Sequence, residues 1–314
     1  MIYSKYDETD VIILGGGPAG LSAALWCSEL RLDSIVIDRA VEPGGQLLNI
    51  HGPIKNYAGL SCADGRELTD TFIASLAVAG YRHLFGTTVD KIDVETFILT
   101  TTNGKRLAAK AMIIATGVRR RKLGVAGEDR FAGKGILGSG VGDARAAAGQ
   151  IAMVIGGGDA AAENALILGK VADRILLVHR RDKLSAREEF VGQLVKDSRI
   201  EIRPNTIVKS FEGADGLESV VLSNVATNDT ERFAAQIALI RIGVEPNSEL
   251  LQNSLELDDA GYILIDSRCE TSTRGIFAVG DVANPGAPTI ATAAGNGATA
   301  AKQIFSLLKT PRKL

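Results

Sequence analysis

Apolar residues in this chain gather in short uninterrupted runs that end on glycine. Val11-Ile-Ile-Leu14 runs into Gly15-Gly-Gly17-Pro-Ala-Gly20, and Leu21 to Trp26 continues as a helix-compatible stretch. Ala152-Met-Val-Ile155 runs into Gly156-Gly-Gly158-Asp-Ala-Ala161 in the same order. Short apolar runs bounded by turn residues predict buried strands, and strand, glycine turn and helix together open a βαβ unit. Ser34-Ile-Val-Ile37 and Arg174-Ile-Leu-Leu-Val178 predict the second strand of each unit. Ile113-Ile-Ala115-Thr-Gly117, Ile237 to Gly243 and Gly275 to Gly280 predict three further strands that end in a glycine turn. The segment from Thr289 to Gly297 opens a last helix.

The two glycine turns carry the first chemistry. In G-x-G-x-x-G the first glycine permits the tight turn, the second lets the backbone approach a pyrophosphate, and the third allows close helix–strand packing. The helix that follows offers free N–H groups and the positive end of its dipole to phosphates. Asp38 ends the second strand of the first copy, 23 residues after Gly15, where a carboxylate can accept hydrogen bonds from ribose hydroxyls. Gly15, Gly17, Pro18, Ala19, Gly20 and Asp38 are therefore expected to hold an adenine dinucleotide without a 2′-phosphate. The second copy has Ala161 in place of the third glycine and His179-Arg180-Arg181 in place of the acid. Guanidinium groups suit a 2′-phosphate, so Gly156, Gly158, Asp159, Ala160, His179, Arg180 and Arg181 are the expected NADP contacts; a solvated basic turn is the alternative for the two arginines. Two nucleotide sites in one chain point to a flavin and a nicotinamide, FAD with NADPH as substrate, exchanging a hydride. The expected class is α/β with two Rossmann-like, three-layer dinucleotide-binding domains. The FAD-type domain spans residues 1–118 and 247–314, and the NAD(P)-type domain, residues 119–246, is inserted in it.

Composition narrows the setting. Glycine occurs 35 times, against about 22 at average usage, and the excess concentrates in these turns. Hydrophobic residues at 46% and charged residues at 23% are an ordinary globular mixture that excludes disorder, collagen and coiled coil. A net charge of −2 draws the chain to neither nucleic acid nor anionic membrane. The stretch Val11 to Trp26 holds four glycines and a proline and follows acidic residues, so neither a signal peptide nor a spanning helix is expected. Three cysteines, Cys27, Cys62 and Cys269, make no disulfide framework and fit a reducing, cytoplasmic location.

The motifs as a set resemble the low-molecular-weight thioredoxin reductases over nearly the whole chain. They comprise Gly15 to Gly20, Gly44-Gly-Gln46-Leu47, Asn56-Tyr57, Ala115-Thr116-Gly117, Gly127-Glu128, Gly133-Lys-Gly135, Gly156 to Asp159, His179-Arg-Arg181, Gly243-x-x-Pro246-Asn247 and Gly280-Asp281. The resemblance implies a flavin domain with an inserted nicotinamide domain, in a homodimer. It implies that Gly45, Gln46, Leu47 and Asn56 line the flavin together with Ala115, Thr116 and Gly117. It further implies that Gly280 and Asp281 meet the ribityl–phosphate region and that Thr292 and Ala293 approach the ring.

One departure dominates. In that family a Cys-x-x-Cys-Asp segment lies between G-K-G and the second glycine turn, and here its cysteine positions fall on Ser139 and Gly142 in Ser139-Gly-Val-Gly142-Asp143. A hydroxyl and a hydrogen form no disulfide. Asp143 occupies the place of the family's proton-donating acid, or serves only as a turn or cap residue. His51, between the Gly44-Gly45-Gln46 segment and Asn56, is a second candidate or simply a loop histidine. A further arginine common in the family falls on Ser185, with Arg187, also an expected NADP contact, two residues beyond, which leaves a variant independent of pyridine nucleotides open as well. Three activities stay open: passage of electrons between NADPH or a protein donor and an external acceptor such as ferredoxin or flavodoxin, direct reaction of a small dithiol or disulfide at the flavin, and a non-catalytic nucleotide-binding regulator. Ferredoxin/flavodoxin–NADP reductases of this type carry an aromatic C-terminal extension over the flavin, and no aromatic follows Phe305 here.

Overall fold

The computed structural model describes residues 7–309. The chain opens with β1 (Asp7–Leu14), α1 (Pro18–Glu29) and β2 (Ser34–Ile37), followed by α2 (Gly65–Ala79) and β3 (Arg82–Leu84). An antiparallel meander comes next: β4 (Val89–Asp93), β5 (Ile98–Thr101) and β6 (Arg106–Ile114), then the short β7 (Val118–Arg120). A second βαβ series follows as β8 (Ile151–Ile155), α3 (Asp159–Leu168), β9 (Arg174–Val178), α4 (Glu188–Lys196) and β10 (Ile200–Arg203). After it come β11 (Thr206–Glu212), β12 (Ser219–Asn224), β13 (Thr230–Ala234), β14 (Ile237–Ile240) and β15 (Val244–Pro246). The described chain closes with β16 (Ile276–Ala278) and α5 (Ile290–Lys309). It forms two compact units: the first runs up to Arg119 and resumes at Glu245, and the second spans Arg120–Val244.

In the first unit a seven-stranded sheet has the order β3-β2-β1-β6-β5-β4, with β16 also on β6. The strands β1, β2, β3, β6 and β16 are mutually parallel where they pair. Alternation along them sorts residues to two cores, as a pleated strand requires. Val11, Ile13, Val36, Ile113 and Phe277 point to one core with α1, α2 and α5, while Ile12, Leu14, Ile35, Ile37, Met112 and Ile276 fill the other. Helix α1 is apolar on nearly every side, as a helix buried between a sheet and another helix must be. Helix α2 has one apolar stripe and begins at Asp64, whose carboxylate accepts hydrogen bonds from the backbone N–H of Arg66 and Glu67.

The second unit repeats the plan. Its four-stranded parallel sheet has the order β10-β9-β8-β14, and a three-stranded antiparallel sheet, β11-β12-β13, forms a further layer. Ala152, Val154, Ile175, Leu177 and Leu239 pack with α3 and α4 on one face. Met153, Ile155, Leu176 and Val178 pack with Val208, Phe211, Val220 and Leu222 of the antiparallel sheet on the other.

Close approach of α5 to α1 ties the late segment to the first βαβ unit. Ser22 Oγ donates to the Ala294 carbonyl at 2.7 Å, and a Cβ on Gly297 would collide with the Ala19 carbonyl and the Ala23 nitrogen. Gly295, on the same helix, has open space. Gly297→Ala is expected to cost about 2–3 kcal/mol in urea unfolding, while Gly295→Ala is neutral or stabilises by up to about 1 kcal/mol. Equal effects of the two substitutions contradict this packing.

Candidate functional site

In each unit the strand order reverses between the first strand and its neighbour on the other side, β1 with β6 and β8 with β14. Such switch points open a crevice at the carboxyl ends of the strands. The first glycine of each motif sits there with positive φ, 117° at Gly15 and 144° at Gly156. A Cβ on Gly15 would strike the Ala115 carbonyl, and one on Gly156 would strike the Arg241 carbonyl. A Cβ on Gly20 would strike the Gly15 carbonyl, the close helix–strand packing expected of a third glycine.

Around the first crevice the two glycine turns face each other. Gly44 N–H donates to the Gly16 carbonyl at 2.8 Å, and a Cβ on Gly45 would stand 3.1 Å from Gly17 Cα. Pro18 opens α1, where its missing N–H costs nothing. Asp38 Oδ2 accepts from the Gly16 N–H at 2.6 Å, and Oδ1 accepts from the Ala40 N–H at 2.8 Å. The carboxylate is thereby fixed at the turn, with lone pairs left over for a ligand's hydroxyls. Gly280 brings Ala19 and Ala293 together, since a Cβ on it would lie 2.9 Å from Ala19 Cβ and 3.6 Å from Ala293 Cβ. Thr292 joins Thr289 at the start of α5, its N–H donating to Thr289 Oγ1 at 3.1 Å. Burial pushes the Asp281 carboxyl above its ordinary range, and no donor among the described residues offsets that cost. A half-buried carboxylate beside a cradle of bare backbone fits the hydroxyl-bearing chain of a flavin dinucleotide.

Other expected residues make contacts within the protein. Gln46 Nε2 donates to the Val118 carbonyl at 2.8 Å, and Leu47 is a core residue. Thr116 Oγ1 donates to the Asn247 carbonyl at 2.7 Å, and Asn247 Nδ2 returns a bond to the Thr116 carbonyl at 2.8 Å. Gly117 adopts positive φ at the strand end, and its carbonyl accepts from the Asn247 N–H. His51 and Asn56 are exposed on the loop that follows Gly45–Asn49.

The second crevice is a cavity of about 730 Å³, lined by the Gly156–Ala160 turn, His179, Arg180 and Arg181, Ser185, Arg121 and Arg241. Arg180 and Arg181 are exposed, and among the described residues neither pairs with a carboxylate, so both guanidinium groups are available to an anion. His179 is buried and lies over Gly157, with Nε2 2.6 Å from the Lys183 carbonyl. A carbonyl only accepts, so Nε2 carries the proton and the ring pins the loop that bears the arginines. Arg187 and Asp159, both expected at the nucleotide, meet each other at the cavity that Asp159 lines: the Arg187 N–H and Nε donate to the two carboxylate oxygens at 2.7 Å each. This pairing holds the Asp159 carboxyl below its usual range. Ser185 donates from its backbone N–H to the Gly157 carbonyl at 2.7 Å, which closes the loop on the turn. Arg241 is a lining residue that the motif reading missed. Comparison of Leu239-Ile-Arg-Ile-Gly243 with Ile113-Ile-Ala-Thr-Gly117 exposes it, since an arginine stands where the first unit has Ala115.

Asp143 is not among the residues that line the second cavity. Its Oδ2 accepts from the N–H groups of Gly138 at 3.0 Å and Ser139 at 2.8 Å, and Ser139 Oγ accepts from the Gly142 N–H at 3.0 Å. These side chains close a turn. The three cysteines are buried and free. Burial pushes the Cys27 thiol up to about 12 and raises those of Cys62 and Cys269 as well. Among the described residues no helix is long and apolar enough to cross a membrane.

Known proteins share this arrangement over most of the chain. The family model for pyridine nucleotide-disulphide oxidoreductases matches residues 9–298. Thioredoxin reductase of Listeria monocytogenes serovar 1/2a (strain ATCC BAA-679 / EGD-e) is 36% identical over 293 residues, 93% of this chain and 91% of that protein. Thioredoxin reductase of Bacillus subtilis (strain 168) is 33% identical over 296 residues, 94% of this chain and 93% of that protein. The crystal structure of Lactococcus lactis thioredoxin reductase superimposes with a TM-score of 0.83 at 32% identity, covering 96% of this chain and 99% of that one.

The Asp281 carboxyl generates a pH prediction. Its ionisation is harder in the folded chain than in the unfolded one, where the ordinary value is 3.8. The penalty is therefore absent below that pH, grows as pH rises from it, and is complete above the raised value. Asp281→Asn is expected to raise the Tm of flavin-free protein at pH 7 by roughly 1–3 °C, to lose that advantage near the ordinary value, and to hold flavin more weakly. A Tm gain that persists unchanged at low pH contradicts the assignment.

Proposed function

This chain belongs to the pyridine nucleotide-disulphide oxidoreductase family, and we propose that it passes electrons between NADPH and an external acceptor with no disulfide of its own in the path. It is an FAD-dependent, NADPH-linked oxidoreductase of the thioredoxin reductase kind. FAD, when bound, supplies the two-electron carrier that the protein's side chains lack. The backbone at Gly15, Gly17 and Gly45 is the surface that admits its pyrophosphate, with Asp38 and Asp281 placed for hydroxyl groups. Arg180 and Arg181 are the groups that select a 2′-phosphate, and the Gly156–Ala160 turn with the start of α3 receives the pyrophosphate of NADPH.

The turn from Ser139 to Asp143 carries the reading. Ser139 and Gly142 occupy the positions of the dithiol in the resembling reductases, and the Ser139 hydroxyl is bonded to Gly142's own N–H. Asp143 is committed to the backbone of the same turn, so its role is to shape the turn. The remaining thiols are buried in separate elements with raised pKa, which disfavours the thiolate that exchange chemistry needs. Electrons from the flavin then leave to a separate molecule, and a small redox protein of the ferredoxin or flavodoxin class fits that role. The resemblance to the reductases supports a homodimer, and the absence of a disulfide framework among three cysteines supports a cytoplasmic setting.

Anaerobic addition of NADPH to the yellow holoprotein is expected to bleach the flavin, after which oxidised ferredoxin or flavodoxin is reduced and thioredoxin is left oxidised. In the same assay Arg180→Ala/Arg181→Ala raises KM for NADPH about 10–100-fold with little change for NADH. Appreciable turnover of thioredoxin overturns the reading. A flavin that stays oxidised with both NADPH and NADH favours a non-catalytic regulator instead, and turnover of a small disulfide alone favours direct reaction at the flavin.

A further inference from the structure

Two arginines of the second unit converge on a single backbone carbonyl. Arg174, Arg187, Arg199, Arg203 and Arg232 each pair with a carboxylate. Arg120 and Arg241 converge instead on one neutral group: Arg120 Nη1 donates to the Gly138 carbonyl at 2.6 Å and Arg241 Nη2 donates to the same oxygen at 3.3 Å. Arg241 Nη1 donates to the Ile240 carbonyl at 2.7 Å. The acid whose charge reaches both, Asp143, commits Oδ2 to the N–H groups of Gly138 and Ser139 and forms no ion pair with either guanidinium. Two like charges are thus held against one carbonyl with most of their N–H donors uncommitted.

Such an arrangement costs free energy without a counter-ion. Burial lowers the pKa of Arg241 to about 10, and the charge of Arg120 adds to the effect. The position explains what the pair is for. Arg241 follows β14 at the switch point, where its backbone carbonyl touches Gly156 and its side chain borders the second cavity. Arg120 lies outside that lining and meets Arg241 over the Gly138–Asp143 turn. The nucleotide's own anionic groups are provided for elsewhere, at the start of α3 and at Arg180 and Arg181.

We propose that Arg120 and Arg241 form a binding site for an oxyanion, the phosphate or carboxylate group of a ligand separate from the dinucleotide, beside the Gly138–Asp143 turn. The assignment rests on reading the adjoining cavity as the NADPH site. Planar guanidinium forks match either oxyanion with paired N–H donors. A ligand held here is an anionic second substrate or effector that occupies the neighbourhood of the turn where the resembling reductases carry their disulfide.

The test is isothermal titration of the holoprotein, saturated with NADP+, by inorganic phosphate and separately by malonate. One saturable site is expected for at least one of the two probes, and the tighter probe identifies the group. Arg120 is exposed, so Arg120→Met leaves the fold intact and is expected to weaken that site at least about tenfold, with Arg241→Met doing the same. Absence of saturable binding with NADP+ present, or unchanged affinity in Arg120→Met, overturns the proposal. Probe binding seen without NADP+ and abolished by it assigns the anion to the dinucleotide and also overturns it. If NADP+ itself does not bind, the NADPH reading fails, and the same titration in Arg180→Ala/Arg181→Ala protein tests the oxyanion site independently.

Discussion

A carbonyl oxygen at the end of one central strand lies against the glycine that ends its neighbour, and both units are organised around that approach. Ala115 meets Gly15 in the first unit and Arg241 meets Gly156 in the second. Any side chain at either glycine is excluded, so the strand must turn at once and the next helix begins with its N–H groups bare toward the crevice. The same approach fixes how close β6 and β14 lie to the turns. Residues that follow those strands, Thr116 and Gly117 or Ile242 and Gly243, are thereby placed at the crevice edge. One steric rule therefore shapes the same turn in both units, and the side chains around each turn decide what it can hold.

Those side chains differ in a way that electrostatics makes readable. Asp38 follows β2 and its carboxylate is anchored on the Gly16 N–H, which suits neutral hydroxyls and repels a phosphate. His179-Arg180-Arg181 follows β9 and presents two exposed guanidinium groups, which suits a phosphate. Asp281 carries a burial cost that no donor among the described residues relieves. A ligand that brings hydroxyl donors to that carboxylate offsets the cost.

The α/β class and the glycine turns were legible in the sequence because their causes are local. A tight turn at Gly15 and a close contact at Gly20 require glycine whatever surrounds them, and a run such as Val11 to Leu14 is buried on both faces in any parallel sheet. The Asp159–Arg187 pair was not legible: spacing alone does not say whether an arginine meets a ligand or a carboxylate 28 residues earlier. Gln46 and Leu47 came from resemblance, and pattern alone does not show that one bonds the Val118 carbonyl or that the other packs in a core. Arg241 escaped notice because a charge at the end of an apolar strand reads as the strand's stop. The antiparallel layer of β11, β12 and β13 gives no such punctuation, as its register depends on contacts with β8 and β9 that lie far apart in sequence.

The turn from Gly138 to Asp143 is built as a closed structure. Asp143 and Ser139 satisfy its N–H groups, and Gly140 packs so tightly on Asn164 of α3 that a Cβ there would collide. The direct check on this account is the electron count. Anaerobic titration of the holoprotein with dithionite is predicted to end after about two electrons per flavin, the capacity of the flavin alone. An end point near four electrons per flavin, roughly one extra two-electron couple, would reveal a redox-active disulfide and contradict the account.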